Sequence, residues 1–578
     1  MIAGIIQLTS NNVSMYIRTV QRKNKDGSVV RYVQLAHNFR DPRTHKPQAN
    51  VLWSFGREEE VDKEALRRLV DSINRFLGPE DVLKHQARAT EVPLVFKESR
   101  PLGGAWVLDA LWRELGIDRA IGKVIKGRAF RTPVERAIFA MVANRALDPQ
   151  SKLAVETWAE QDVTLPGVEN IEVQQLYRAM DVLVEAGDAL QEEVFFSVAH
   201  LLNLEVDLLF FDTTSTYFEI EGEDPEEGDA EYFLRRRGHS KDHRPDLAQI
   251  VIGLAVTRDG IPIRCWVWPG NTADVTRVDQ VKKDLVGWKL GRVITVVDRG
   301  FVSEDNLRTL QRAGGHYIAG ERMQSGKPAV EEALSRPGRY QKVKNNVEVK
   351  EIIVGDGEAR QRFILVRNPY EEARDREQRE QIIKELEQEL KGLAHLGKEE
   401  HGKAVCRLVS HPTYGRYLKL DKKGWPQLDR TKVKAEERLD GKYLLRTSDD
   451  TLSPADVALG YKQLLEVEAA FRTLKQALDL RPIYHRLSRR IEAHVLLCWL
   501  ALLLIRVAET RVEEKLGQRY TWPRLRDELS RMHLGVFEGV AGTVWQRTET
   551  TSFQRQILTA LGIEEPPRFF KLDPRRAV

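Results

Sequence analysis

From Asp207 onward the chain alternates apolar strand-like runs with helical ones, and this alternation constrains its fold more than any other feature. LLFFDTTSTYFE is a β-rich apolar run that leads into an acidic and hydroxyl cluster. After a polar loop over about 221–246, the runs AQIVIGLAVT and IPIRCWVWPG flank Arg258-Asp259-Gly260. Asp-Gly between two such runs is a hairpin signal. Residues 275–288 (VTRVDQVKKDLVGW) fit a charged helix, RVITVVDRG a buried strand, EDNLRTLQRAG a short helix and HYIAG a strand. The order strand, hairpin, helix, strand, helix, strand predicts α/β layers around a mixed sheet.

The remainder of the chain divides around that block. At roughly 150 residues per domain, 578 residues are too many for one core. Residues 1–95 read as a small basic α/β domain: the first fifty carry eight Lys/Arg against two acids, SMYIRTVQR and VVRYVQLAH suggest a hairpin, and a helix near 63–76 stops at Gly78-Pro79. Residues 96–203 carry apolar residues three and four apart and read as helical, a candidate DNA-binding domain, with Thr132-Pro133 opening one helix. The α/β block is then 204–320, and 321–455 reads as an inserted β-rich domain with a long charged helix over 371–396. Helix resumes over 456–516, and 517–578 carry weaker signals and end in a basic tail, PPRFFKLDPRRAV.

Composition excludes several classes. With 90 Lys/Arg against 86 Asp/Glu, a net charge of +4, there is no polybasic coat, although local asymmetry still counts. Three dispersed cysteines (Cys265, Cys406, Cys498) make neither a disulfide framework nor a cysteine zinc site, and a reducing cytosol is the default expectation. No secretory signal is evident at the start of the sequence. The longest apolar run, Val495–Ile505, is well short of the ~20 residues that span a bilayer, and predicts a buried helix and no membrane partner.

Two aspartates stand out by position. Asp212 and Asp298 are each expected to close an apolar strand, LLFF and ITVV. Ligands of open α/β sheets gather at the carboxyl ends of strands, and paired carboxylates suit Mg²⁺ or Mn²⁺. An aspartate there also serves simply to start a turn. The helical run YKQLLEVEAAFRTLKQ sets Tyr461, Glu468 and Lys475 seven residues apart, close to two turns, so that they share a stripe flanked by Leu464 and Phe471. A carboxylate on an inward stripe is costly unless it is paired or metal-bound. The run Arg235, Arg236, Arg237, His239, Lys241, His243, Arg244 predicts a basic loop near Asp212 with phosphate contacts. Its two histidines lack the further ligands that zinc needs. Thr213, Thr214, Ser215 and Thr216 suit hydrogen bonding to a carboxylate or phosphate, or turn capping, and Trp266 and Trp268 suit the core.

These residues together resemble the DDE transposases of bacterial insertion sequences. More narrowly, they are similar to the group with a Tyr-x2-Arg-x3-Glu-x6-Lys signature and a β-rich insertion before it; Leu464 stands at the arginine position. GHSKDHRPDLAQ and PGNTADVT look like segments of the same group. The resemblance implies a ribonuclease H-like core (204–320 and 456–516) interrupted by a β-rich insertion and preceded by a mainly helical DNA-binding region. It also implies Asp212, Asp298 and Glu468 as catalytic residues and metal ligands for two divalent cations, Mg²⁺ with Mn²⁺ as substitute. Tyr461, Lys475, Arg235, Arg236, Arg237, Lys241 and Arg244 become the expected DNA contacts. The implied activity is cutting of the terminal inverted repeats and joining to target DNA, by a homodimer on double-stranded DNA in the bacterial cytoplasm. Two other classes use the same residues: a DNA-binding protein derived from a transposase that has lost catalysis, and a carboxylate-dependent glycoside hydrolase.

Overall fold

A computed structural model describes residues 15–24, 28–40, 47–77, 95–126, 133–202, 207–219, 222–224, 233–288, 293–323, 328–357, 360–393, 398–539 and 542–574. The expected helix stop at Gly78-Pro79 and the cap Thr132 lie outside these residues. Two compact units divide the chain: residues 1–98 with 535–547 and 567–578, and residues 99–534 with 548–566.

In the first unit, β1 (Met15–Lys23), β2 (Val29–Arg40) and β3 (Pro47–Arg57) form an antiparallel meander. The register Lys23↔Val29 closes the predicted hairpin. A helix follows at Lys63–Leu77. A second sheet joins β4 (Val95–Pro101) to three late strands, His533–Gly539, Gly542–Arg547 and Phe569–Pro574. Phe569–Pro574, within the segment read as a basic tail, is therefore strand; Val544↔Leu572 and Trp545↔Lys571 pair it antiparallel to its neighbour. Its alternation of apolar and charged residues is too short to stand out as a strand in sequence.

The second unit is built on a nine-stranded sheet. Its strands in chain order are β5 (Leu208–Tyr217), β6 (Gln249–Val256), β7 (Pro262–Pro269), β8 (Ile294–Val297), β9 (His316–Glu321), β10 (Gln341–Lys344), β11 (Val347–Val354) and β12 (Gln361–Arg367). After a small separate hairpin, β13 (Leu418–Leu420) with β14 (Pro426–Leu428), comes β15 (Lys442–Thr447). The spatial order is β10-β11-β12-β15-β9-β8-β5-β6-β7. β5, β6 and β7 are antiparallel neighbours, whereas β8 runs parallel to β5 and β9 parallel to β8.

This order corrects the reading of 321–455 as a domain of its own. Its strands β10, β11, β12 and β15 extend the main sheet, with β15 hydrogen-bonded along β9. Among the described residues, the charged helix Pro369–Leu393, the helices Lys398–Ser410 and Arg430–Glu437 and the β13–β14 hairpin make a separate small core, around Leu386, Leu408 and Tyr417. The charged helix buries only Arg379, Leu386 and Leu393, as its sequence predicts for a solvated element.

Both faces of the sheet are covered, which explains why its strands read as continuous apolar runs. Along β5, Leu208 and Phe210 belong to one core and Leu209 and Phe211 to the other. The second core holds Phe211, Trp266, Trp268, Val281 and Leu307 under the helices Val278–Gly287 and Glu304–Gln311. The first core takes in the helix Ser488–Leu516 and the helices Gly103–Glu114, Val134–Leu147 and Val173–Glu185. The helical region 96–203 thus shares one core with the late helices. Ser488–Leu516 is the only helix among the described residues long and apolar enough to cross a membrane, and 94% of its apolar window is buried inside the protein. It is apolar all round because helices and sheet surround it.

Candidate active site

Asp212 does not end its strand, contrary to the sequence reading. β5 continues to Tyr217, paired antiparallel with β6 as far as Tyr217↔Gln249. What ends at Asp212 is the parallel pairing with β8, whose last partners are Phe211↔Val297. Asp298 follows Val297 directly and opens a short 3₁₀ turn, Arg299–Phe301. The two aspartates therefore stand side by side on neighbouring parallel strands, which are about 4.8 Å apart. Alternation along each strand turns both toward the face that carries Phe210 and Val296, the face covered by the helices after Pro454.

Each carboxylate is held by a different element. The Tyr461 hydroxyl donates to Asp298 Oδ1 at 2.9 Å. Burial, and then the Asp298 charge, raise the Tyr461 pKa well above the ordinary phenol range, so it remains a donor. Gly320 makes the approach possible, because a Cβ there would overlap the Tyr461 hydroxyl. Tyr461 was expected to meet a DNA strand end; its hydroxyl instead positions Asp298. Tyr461→Phe is expected to slow DNA cleavage about tenfold, the worth of one hydrogen bond to a charged group, with DNA affinity unchanged; single-turnover cleavage and a binding titration check both. At Asp212, the Lys241 ammonium lies 3.8 Å from Oδ1 and donates to the Thr213 carbonyl and hydroxyl at 2.7 Å. The Lys241 backbone N–H donates to Ser215 Oγ at 2.8 Å. The hydroxyl cluster after Asp212 thus anchors the basic loop.

Glu468 is not joined to these two at metal distance. Among the described residues no group of three His, Cys, Asp or Glu side chains could hold a metal ion. Glu468 is exposed on the helix Leu465–Arg472, which packs on β5 and β6, the strands beside Asp212. The predicted continuous stripe from Tyr461 to Lys475 is broken. Leu464, Glu466 and Val467 donate to carbonyls only three residues back, at 3.0, 2.9 and 3.1 Å. The chain therefore turns between the helix Pro454–Lys462 and the next. Beyond Arg472 it loosens into a π-helical turn, Thr473–Ala477. Packing explains the break: Leu464 is buried, and the Glu466 carboxylate accepts from Arg506 at 2.6 Å.

The basic loop separates into buried and surface parts. Arg235 is buried and closes on Asp224 with Nη2 2.6 Å from Oδ1, so its guanidinium is unavailable to phosphate and the expected DNA contact is corrected. Arg236 donates to the Asp224 carbonyl. Arg237 and Arg244 remain exposed beside Asp246; Arg244 donates to it at 2.8 and 2.9 Å and lies 5.3 Å over the Tyr217 ring. Lys475, expected on DNA, donates to Asp242 at 2.8 Å, and Arg481 donates to the same carboxylate at 3.2 Å. Asp242, Arg481 and Asp224 escaped the sequence reading; the one signal available was an aspartate inside an otherwise basic run. Gly270 closes the loop against the sheet: a Cβ there would overlap the Gln249 and Arg236 carbonyls, which explains the glycine of Pro269-Gly270-Asn271.

Residues 17–85 match the N-terminal domain of IS1634 family transposases, and residues 222–504 match the transposase DDE domain. The chain is an insertion-sequence DDE transposase. Its substrate class is therefore DNA, and the glycoside hydrolase reading falls away. The DDE-domain match includes Asp298 and Glu468 and begins just after Asp212. The transposase is also similar to a piggyBac transposase, seen by cryo-EM in a synaptic complex with hairpin DNA, at 10% identity and a TM-score of 0.34 over 75% of this chain and 82% of that one. Among curated proteins no sequence matches the transposase significantly.

Proposed function

We propose that the transposase cuts DNA at the ends of its element and joins the freed 3′-hydroxyl to target DNA, using Asp212, Asp298 and Glu468. The observation that carries this reading is the side-by-side position of Asp212 and Asp298 where the β5–β8 pairing stops. The five central strands, β7-β6-β5-β8-β9, support a ribonuclease H-like core: three antiparallel strands followed by two parallel to the first. The donor set fits Mg²⁺ or Mn²⁺, because the three residues offer carboxylate oxygens alone, and a cationic ammonium already lies beside Asp212. Two such ions, when bound, would lower the pKa of an attacking hydroxyl and stabilise the leaving oxygen.

The chain's own groups prepare that chemistry. Tyr461 fixes the Asp298 carboxylate, and Lys241 offsets the Asp212 charge until a cation or phosphate takes its place. Arg237 and Arg244 offer surface charge to the DNA backbone, and Lys475 and Arg481, fixed by Asp242, stand near the same strand end. The turn at Gln463–Leu464 sets Glu468 on a separate helix, Leu465–Arg472, from Tyr461. Joining requires two element ends held at once, which favours a homodimer on DNA in the cytoplasm. Glu468→Gln tests the third ligand: metal-dependent nicking of end-bearing DNA is expected to fall about a hundredfold, and wild-type nicking by this variant would remove Glu468 from the site.

A further inference from the structure

Away from the aspartates, a cavity of about 660 Å³ opens between the helical region and the segment after Lys475. Arg145, Lys152, Tyr177, Tyr484, His485 and His494 line it, and none of its lining residues is a carboxylate. Lys152 is 3% exposed and among the described residues its ammonium has no hydrogen-bond partner. Arg145 is 4% exposed; its Nη atoms reach the Asp479 and Gln150 carbonyls, but among the described residues its Nε has no partner. A buried ammonium without a partner is costly, and a second cation beside it raises the cost.

We propose that this cavity binds a phosphate group of the DNA strand, with Lys152 and the Arg145 Nε as donors. Electrostatics agree: burial and the Arg145 charge bring the Lys152 ammonium down to about 7. Burial, then Lys152, Arg490 and Arg145, hold His485 down at about 4, and burial with Lys152 and Arg145 holds His494 well below its usual range. An anion would relieve all four groups at once. The volume exceeds what a phosphate ion needs and lies within the range of ligand pockets. Tyr177 and Tyr484 supply aromatic faces of the kind on which bases stack. His485 lies four residues after Arg481, within about 14 Å along the chain, and Arg481 sits over Tyr217 at the end of β5. A strand that reaches Asp212 is thereby within a few nucleotides of the cavity. The DNA assignment rests on the proposed site; the anion chemistry does not.

The test uses the full chain and two variants, Lys152→Met and Lys152→Arg. Inorganic phosphate at constant ionic strength is expected to raise the melting temperature of wild type by several degrees. Lys152→Met is expected to melt no lower than wild type without phosphate, to lose that rise, and to bind single-strand-ended DNA about tenfold more weakly; Lys152→Arg is expected to keep part of both. Equal phosphate-dependent rises in wild type and Lys152→Met, or no rise in wild type, would overturn the site. A Lys152→Met protein that melts well below wild type would make Lys152 structural and overturn it too. Loss of the phosphate response with unchanged DNA affinity would overturn the DNA source. Asp298→Ala serves as the control: wild-type cleavage by it would sink the catalytic assignment, while its phosphate response would still report on the cavity.

Discussion

Asp298→Asn, and equally Asp212→Asn, is expected to abolish DNA strand cleavage, by about a thousandfold or more, while the protein stays folded. Each change keeps side-chain volume and removes one negative charge from a pair on neighbouring strands. Loss of a carboxylate that holds a catalytic cation removes several kcal/mol of transition-state stabilisation, and each ~1.4 kcal/mol is tenfold in rate. The fold survives because neither side chain belongs to the apolar cores that define β5 and β8. Nicking of end-bearing plasmid, read alongside melting temperature, checks the prediction. A variant that cleaves at the wild-type rate would show that the pair is architectural.

The second large effect is on stability. Asp224→Ala is expected to destabilise the protein by about 3 kcal/mol or more. Asp224 is 2% exposed and accepts from the Arg235 backbone N–H at 2.9 Å and from its Nε at 2.7 Å. Removing it leaves a buried guanidinium uncompensated, whereas exchanging both residues for apolar ones of similar volume restores much of the loss. The same loop carries Lys241 toward Asp212, so cleavage should fall with stability. Denaturant melts of Asp224→Ala and of the double variant Asp224→Leu/Arg235→Met separate the two effects; equal stability of wild type and Asp224→Ala would contradict the buried-pair argument.

The positions of Asp212 and Asp298, each directly after an apolar strand-forming run, were legible in the sequence, although β5 itself continues past Asp212 to Tyr217. The helix break at Gln463–Leu464 was not. Val467, Ala470, Phe471 and Leu474 keep helical spacing on their own, and the turn arises from contacts of Leu464 and Glu466 with elements far along the chain. The partners of the basic residues were hidden for the same reason. Nothing local to Lys475 announces Asp242, and the burial of Arg235 depends on Asp224, eleven residues earlier. The strands of residues 321–455 were visible as β-rich runs, but strand pairing across β15 and β9 is a tertiary property that periodicity does not encode.

That pairing has a consequence for how such a protein can diversify. The inserted strands shield β9, which lies next to the strand that leads into Asp298. Excising them would leave a row of bare amide and carbonyl groups one strand from β8 and Asp298, an invitation to association between copies. Residues 321–455 thus form a buttress welded to the main sheet rather than an exchangeable cassette, and a shorter descendant would have to cap that border by other means.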